Sequence, residues 1–201
     1  MTTHSSSKPA AYPLLPSMLC LGGALLFMTV SALLYWPAPE VAFRTDNSPV
    51  AWLSSAQLWA MAILTLRLWQ DSTMPRGLCL WLCVGMMGMA FDEQFMLHEH
   101  WKYRCLEWWS ACRFGWVTEL PMLLVAALGV FTGVWLHRSL PGRTQRLQCW
   151  LALGVGLFAL YLRATQTPIE LLPYKAALLV VAEALFTGML LSIPVKFTAL
   201  R

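Results

Sequence analysis

Long stretches without a charged residue constrain the fold of this sequence more than any other feature. The first runs from Leu14 to Trp36 and is long enough, as a helix, to cross about 30 Å of hydrocarbon. A secretory signal peptide would have an apolar region of only about 7–15 residues, so we expect this segment to be retained as a membrane helix. Residues 1–12 are polar and Ser-rich, which predicts a disordered tail.

Further apolar runs follow along the chain. They are too long for barrel strands and lack the alternation of a strand, whereas a helix in lipid satisfies its own backbone hydrogen bonds. The sequence therefore predicts an all-α polytopic membrane protein, in which residues 13–201 form a single bundle of six transmembrane helices with short loops. The predicted spans are 14–36, 47–66, 77–97, 119–136, 147–163 and 176–195.

The charged residues, 12% of the chain, amount to about half the share usual in a soluble domain. The net charge of +4 comes from Lys and Arg scattered through short connections, so we predict membrane lipids and no nucleic acid as partners. Other membrane subunits or a second copy of the chain are further partners to expect. Basic residues are in modest excess on the side that holds both termini, which predicts cytoplasmic termini.

One stretch, residues 91–100, concentrates acids and imidazoles near the end of the third predicted span. Ionisable groups are costly in a membrane and usually face a bundle interior or a water-filled cavity. In a continuous helix Asp92 and Glu99, seven residues apart, would lie on one face, with Glu93 and His100 on an adjacent face.

The order of the spans brings more polar residues to the same side of the membrane. The end of the third span, the start of the fourth, the end of the fifth and the start of the sixth must share that side. Glu183 is the eighth residue of its span, roughly 11 Å deep, and Asp92 and Glu93 lie at about 6–9 Å. We therefore predict an outward-facing acidic and His pocket. Its expected members are Asp92, Glu93, His98, Glu99, His100, Glu119, Arg163 and Glu183.

Carboxylates with imidazole suit a divalent metal, since a cation lets several acids coexist. We expect Glu93, His98 and Glu183 to hold Zn, Mn or Fe, and Asp92 or Glu99 to orient ligands or water as the catalytic candidates. Such a metal would activate water for chemistry on a lipid. Copper is less favoured, because methionines on a helix more often serve packing.

Two other functions stay open, and so does whether the protein is an enzyme. In one, the protein is a structural or assembly subunit of a membrane complex, and the acids pair with basic groups that hold the helices or a partner in place. Alternatively, Asp92, Glu93 and Glu183 could relay protons or cations. We assign Thr29, Ser55 and Gln57 to the other half of the bundle, which has no charge inside the membrane and so argues against a full conduit.

The pairs Asp92-Glu93 and His98-Glu99, separated by four residues, resemble a pattern found in uncharacterised bacterial multi-pass inner-membrane proteins. The resemblance covers about ten residues and implies a bacterial inner membrane, but it implies no activity. The zinc-protease pattern His-Glu-x-x-His is absent from the sequence.

The segment between Trp101 and Trp116 interleaves aromatic and charged residues. This composition predicts an amphipathic helix at the membrane interface or an extension of the third span. Cys105 and Cys112 would be about 10 Å apart along a continuous helix, too far for a disulfide. A bridge between them therefore requires a break in the helix, and the sequence leaves that question open.

Overall fold

The computed structural model of the chain describes residues 14–44, 48–71, 74–164 and 172–194, and the predicted tail at residues 1–12 lies outside them. The secondary structure of the described residues is all helical. Helices are numbered in chain order, as follows: α1 (Leu15–Leu34), α2 (Val41–Arg44), α3 (Pro49–Asp71), α4 (Arg76–Phe95), α5 (Leu97–Trp108), α6 (Gly115–Thr118), α7 (Leu120–Ser139), α8 (Arg143–Ala164) and α9 (Leu172–Leu191). A 3-10 turn, Ser110–Arg113, separates α5 from α6.

The predicted all-α class is confirmed for the described residues. Each of the six predicted spans falls on one of the six long helices, and no end differs by more than five residues. The largest difference is in α3, which continues past Arg67 to Asp71, because a helix ends where its hydrogen bonding ends and not where hydropathy falls. Three helical stretches, Leu15–Leu34, Pro49–Gln70 and Leu120–Ser139, are long and apolar enough to cross a membrane.

Helix α9 lies at the centre of the described bundle, where it packs against α1, α3 and α8. Helix α4 packs along α3, while α7 packs along α8 and touches α4 only briefly. Short connections join α3 to α4 and α7 to α8 at one end of the bundle, which we call the inner end. The opposite end, where α4 finishes and α7 begins, is the outer end.

The main hydrophobic core lies toward the inner end. It is formed where α3, α7 and α9 finish and where α4 and α8 begin, with Leu68, Leu78, Leu136, Cys149 and Leu190 among its buried members. A second, smaller cluster joins α1, α3 and α9. Elsewhere much apolar surface is exposed, and only 11% of the apolar window of α7 is buried. Such a helix suits contact with lipid tails better than contact with water.

Helices α1 and α9 approach each other closely at Gly188. A Cβ atom added at Gly188 would lie 2.2 Å from the Cα atom of Ser17. Any other residue at position 188 would therefore force the two backbones apart, and small residues are what lets membrane helices approach closely.

Candidate functional site

The chain changes direction at Met96, between α4 and α5. Met96 has a φ of 51°, in the left-handed region, so α4 ends at Phe95 and a separate helix begins at Leu97. The prediction of one continuous helix through this stretch is wrong. Residue pairs seven apart, such as Asp92 with Glu99, therefore lie on different helices, and the spacing does not place them on one face.

The Asp92 carboxylate bridges this break. The backbone N–H of His98 donates to Asp92 Oδ1 at 2.9 Å, and the His98 imidazole Nδ1 bonds to Asp92 Oδ2 at 2.7 Å. The amide of His98 belongs to the first turn of α5, where N–H groups have no partner within the helix. Asp92 therefore acts as a cap for α5 from the preceding helix, and His98 is held by that bond.

Residues 97–119 connect α4 to α7 at the outer end, and we call them the outer cap. Cys105 and Cys112 form a disulfide, with their Cα atoms 5.8 Å apart. The break that this bridge requires occurs at Trp109, whose extended backbone ends α5. The disulfide and Val117 form a small buried cluster against Trp101, and the Trp101 indole donates to the Val117 carbonyl at 3.1 Å. The segment is thus a separate folded unit and not an extension of α4.

A small cavity of about 90 Å³ lies between α5 and the start of α7. The Lys102 ammonium donates to the Glu119 carboxylate across it. Three of the predicted pocket residues, His98, Glu99 and Glu119, line this cavity. The complete lining is His98, Glu99, Lys102, Tyr103, Thr118, Glu119, Pro121 and Met122. His100 instead bonds through Nδ1 to the Met96 carbonyl at 3.0 Å and lines a second cavity, which shares Glu99 and Tyr103 with the first.

Glu183 lies apart from the cap cavity, within the helix bundle. The Ser54 hydroxyl donates to Glu183 Oε1 at 2.7 Å. The Gln57 amide donates to Glu183 Oε2 and to the Val180 carbonyl, both at 3.2 Å. Both partners come from α3, so the carboxylate joins α3 to α9. Because α9 begins at Leu172, Glu183 is about 16 Å along it, deeper than the sequence estimate of about 11 Å, which placed the helix start too late.

Glu93 of α4 lies close enough to Glu183 of α9 for the two carboxylates to interact electrostatically. His98 bonds through Nδ1 to Asp92 across the helix break. Among the described residues, no group of three or more His, Cys, Asp and Glu side chains is arranged to hold a metal ion. The predicted set of Glu93, His98 and Glu183 therefore has no support from geometry. The side chain of Arg163 lies outside the described part of the chain.

Comparison with known proteins adds no family. No protein-family model, curated protein or solved structure matches the chain.

The partners of Glu183 show where the sequence interpretation missed functional residues. Gln57, which we assigned to the uncharged half of the bundle, is bonded to Glu183, and that assignment is wrong. Ser54 was not singled out. Both lie near the start of α3, the end that the span order places on the same side as the start of α9, so counting residues from the helix start would have found them.

A second polar cluster near the inner end was also missed. Gln148 of α8 is buried, and its Nε2 donates to the hydroxyl of Ser17 in α1 at 2.9 Å. Gln145, one turn earlier, donates to the Ser192 carbonyl at 3.0 Å and accepts from the Gly142 amide at 2.9 Å. In the sequence these amides lie close to Arg143 and Arg146, so they do not stand out from a polar stretch.

Proposed function

We propose that this chain is a multi-pass membrane protein in which all six long helices cross the bilayer, with both termini in the cytoplasm. Each of these helices has at least 20 residues, enough for about 30 Å of hydrocarbon. The Cys105–Cys112 bridge supports this orientation, because disulfides persist in the periplasm and not in the cytosol. We therefore propose that the outer cap is periplasmic and that, through six spans, the termini lie in the cytoplasm of a bacterium, with the chain in its inner membrane.

We further propose that Glu183 binds a proton or a small cation, which makes the protein a component of proton or cation transport. One observation carries this proposal: the described hydrogen-bond partners of the Glu183 carboxylate, Ser54 and Gln57, are both uncharged. The salt bridges seen among the described residues, Asp92–His98 and Lys102–Glu119, do not include it.

The energetics of the membrane interior explain why that arrangement favours cation binding. An ionised carboxylate at the centre of a membrane helix costs about 2.5–3.5 kcal/mol or more. Two neutral donors orient the carboxylate without cancelling its charge. A proton or a monovalent cation removes that cost, and its exchange is the elementary step of transport.

Labelling with dicyclohexylcarbodiimide tests this proposal, because the apolar reagent modifies carboxylic acids only when they are protonated. We expect peptide mass mapping of the detergent-purified protein to show modification at Glu183, and its loss in Glu183→Gln. Protection by added Na⁺ or K⁺ would identify a cation as the bound species. Glu119→Gln, which alters an acid of the outer cap, is the matched control and should leave the modification unchanged.

The labelling also separates the transport function from a structural one. A Glu183 that stays unmodified from acidic to alkaline pH, in protein whose other acids react, is never protonated and would exclude proton binding. If Glu183→Gln then failed to assemble, the acid would serve packing. Metal-dependent lipid chemistry would need stoichiometric bound metal, lost in both Glu93→Gln and His98→Ala.

The cap cavity supports a second candidate function, the binding of a lipid headgroup. Its lining carries acids, Glu99 and Glu119, beside the basic Lys102, so a zwitterionic headgroup that separates the Lys102–Glu119 pair would find a partner for each of its charges. Lipid analysis of the purified protein should show a co-purifying phospholipid that is depleted in Lys102→Gln. Equal lipid content in the variant would exclude this site.

A further inference from the structure

The buried amide of Gln148 has one polar atom without a partner. Gln148 is only 4% exposed, and its Nε2 donates a hydrogen bond to the Ser17 hydroxyl. Its Oε1 accepts no hydrogen bond from any described residue. A buried acceptor without a donor costs about 1–3 kcal/mol, so this atom indicates a bound group that donates hydrogen bonds.

The position of Gln148 relates it to Glu183. Its partner Ser17 is the residue that α9 approaches at Gly188, so the amide lies where α1, α8 and α9 meet. Gly188 is five residues beyond Glu183, about 7.5 Å closer to the inner end. Thr187, the residue before it, is buried and donates its hydroxyl to the Glu183 carbonyl at 2.8 Å.

We infer that Gln148 binds a buried water molecule and that this water forms part of a proton path between Glu183 and the inner end of the bundle. Buried waters usually make about three hydrogen bonds. The water would donate to Gln148 Oε1 and accept a hydrogen bond from the Ser17 hydroxyl. As its third partner we assign the oxygen of Thr187, the next polar group along α9 toward Glu183. This inference rests on the proposed function of Glu183 as a proton-binding group.

The chemistry of the step needs only water and the groups already named. When a proton reaches this water, one O–H bond forms, and when another of its hydrogens leaves, one O–H bond breaks. Gln148 and Ser17 keep their own protons and serve only to orient the oxygen. Toward the inner end, the next polar groups are Gln145 and the Ser192 carbonyl.

The experiment uses the full chain in proteoliposomes, oriented with its termini toward the lumen. Carbodiimide modification of Glu183 is followed while the pH of the lumen is lowered and the outer pH is held constant. We expect modification to increase in the wild type, because protons from the inner side reach the carboxylate. In Gln148→Leu the response should slow by roughly tenfold or more, the effect of adding about 1.4 kcal/mol to a barrier.

Two further variants make the result specific. Ser17→Ala removes a hydroxyl without adding volume and should slow the response as Gln148→Leu does, even if the leucine variant fails to fold. Thr132→Val removes the hydroxyl that accepts from the Trp81 indole at 2.9 Å, away from the path, and should respond as the wild type does. If Glu183 is modified and its response to lumenal pH is as fast in Gln148→Leu and Ser17→Ala as in the wild type, the proposed path is wrong but proton binding at Glu183 stands. If wild-type Glu183 is never modified, both proposals fail.

Discussion

Asp92 accepts two hydrogen bonds from His98, one from its backbone amide at 2.9 Å and one from its imidazole at 2.7 Å. The two residues belong to different helices, and Met96 between them has the left-handed backbone that separates those helices. For a residue with a side chain that conformation costs about 1–2 kcal/mol. The contact therefore stabilises a bend that the local sequence disfavours.

Replacing Asp92 should weaken the bend. We expect Asp92→Ala to lower the free energy of unfolding by about 1–3 kcal/mol, the usual cost of losing hydrogen bonds to a charged group. Asp92→Asn, which keeps an acceptor for the His98 amide, should lose less. Thermal unfolding in detergent measures both. Gln94→Ala, at an exposed position of the same helix, is the control, and equal losses in Gln94→Ala and Asp92→Ala would contradict a special role for this carboxylate.

The long helices could be predicted from the sequence because each contains an extended apolar run that lacks the alternation of a strand. The bend at Met96 could not, since neither Gly nor Pro marks it and Met rarely adopts a left-handed backbone. The bend is recognised only from the contact between Asp92 and His98, which lies six residues later in the chain. The disulfide was left open for the same reason: whether Cys105 reaches Cys112 depends on the break at Trp109.

The site itself could be predicted only in part, because it depends on which helices are neighbours. Span order correctly grouped His98, Glu99 and Glu119 at one end, where they line a common cavity. Span order could not show that Glu183 faces α3, because a single sequence does not indicate which helices pack side by side. The metal interpretation stays a prediction, and among the described residues no three His, Cys, Asp or Glu side chains are arranged to hold an ion.

Relieving the left-handed backbone at position 96 should stabilise the protein. Gly adopts positive φ without steric cost, so Met96→Gly should raise the free energy of unfolding by up to about 1 kcal/mol. Met96→Ala keeps the cost while removing the same side chain, and it serves as the matched comparison. The difference in melting temperature between the two variants is the measurement. A glycine variant less stable than the alanine variant would show that position 96 is not left-handed.

Removing the disulfide should loosen the outer cap and leave the helix bundle intact. A bridge that closes a short loop contributes about 2–3 kcal/mol by restricting the unfolded chain. We therefore expect Cys105→Ser with Cys112→Ser to speed amide hydrogen exchange across residues 97–118, with little change in α3 or α9. Cys20→Ala, which removes a free thiol in α1, should change exchange in neither region. Uniform acceleration throughout the bundle would mean that the cap is not a separate unit.

The contact between Gly188 and Ser17 predicts opposite effects for the same substitution at different glycines. In Gly188→Ala the new methyl would lie 2.2 Å from the Ser17 Cα. A backbone atom cannot turn aside as a side chain does, so α1 must move away from α9. Overpacking of this kind costs about 1–3 kcal/mol, which thermal unfolding would detect as a lower melting temperature.

Gly85 and Gly88 in α4 provide the contrast, because a Cβ at either position would meet nothing within 4 Å. Alanine there restricts the unfolded chain without a clash, and should stabilise by about 0.4–1 kcal/mol. The displacement of α1 should also separate Ser17 from Gln148, so Gly188→Ala should slow the response of Glu183 to lumenal pH as Gln148→Leu does. If Gly188→Ala proves as stable as Gly85→Ala, α1 does not pack on α9 at this point, and the buried junction at Gln148 does not exist.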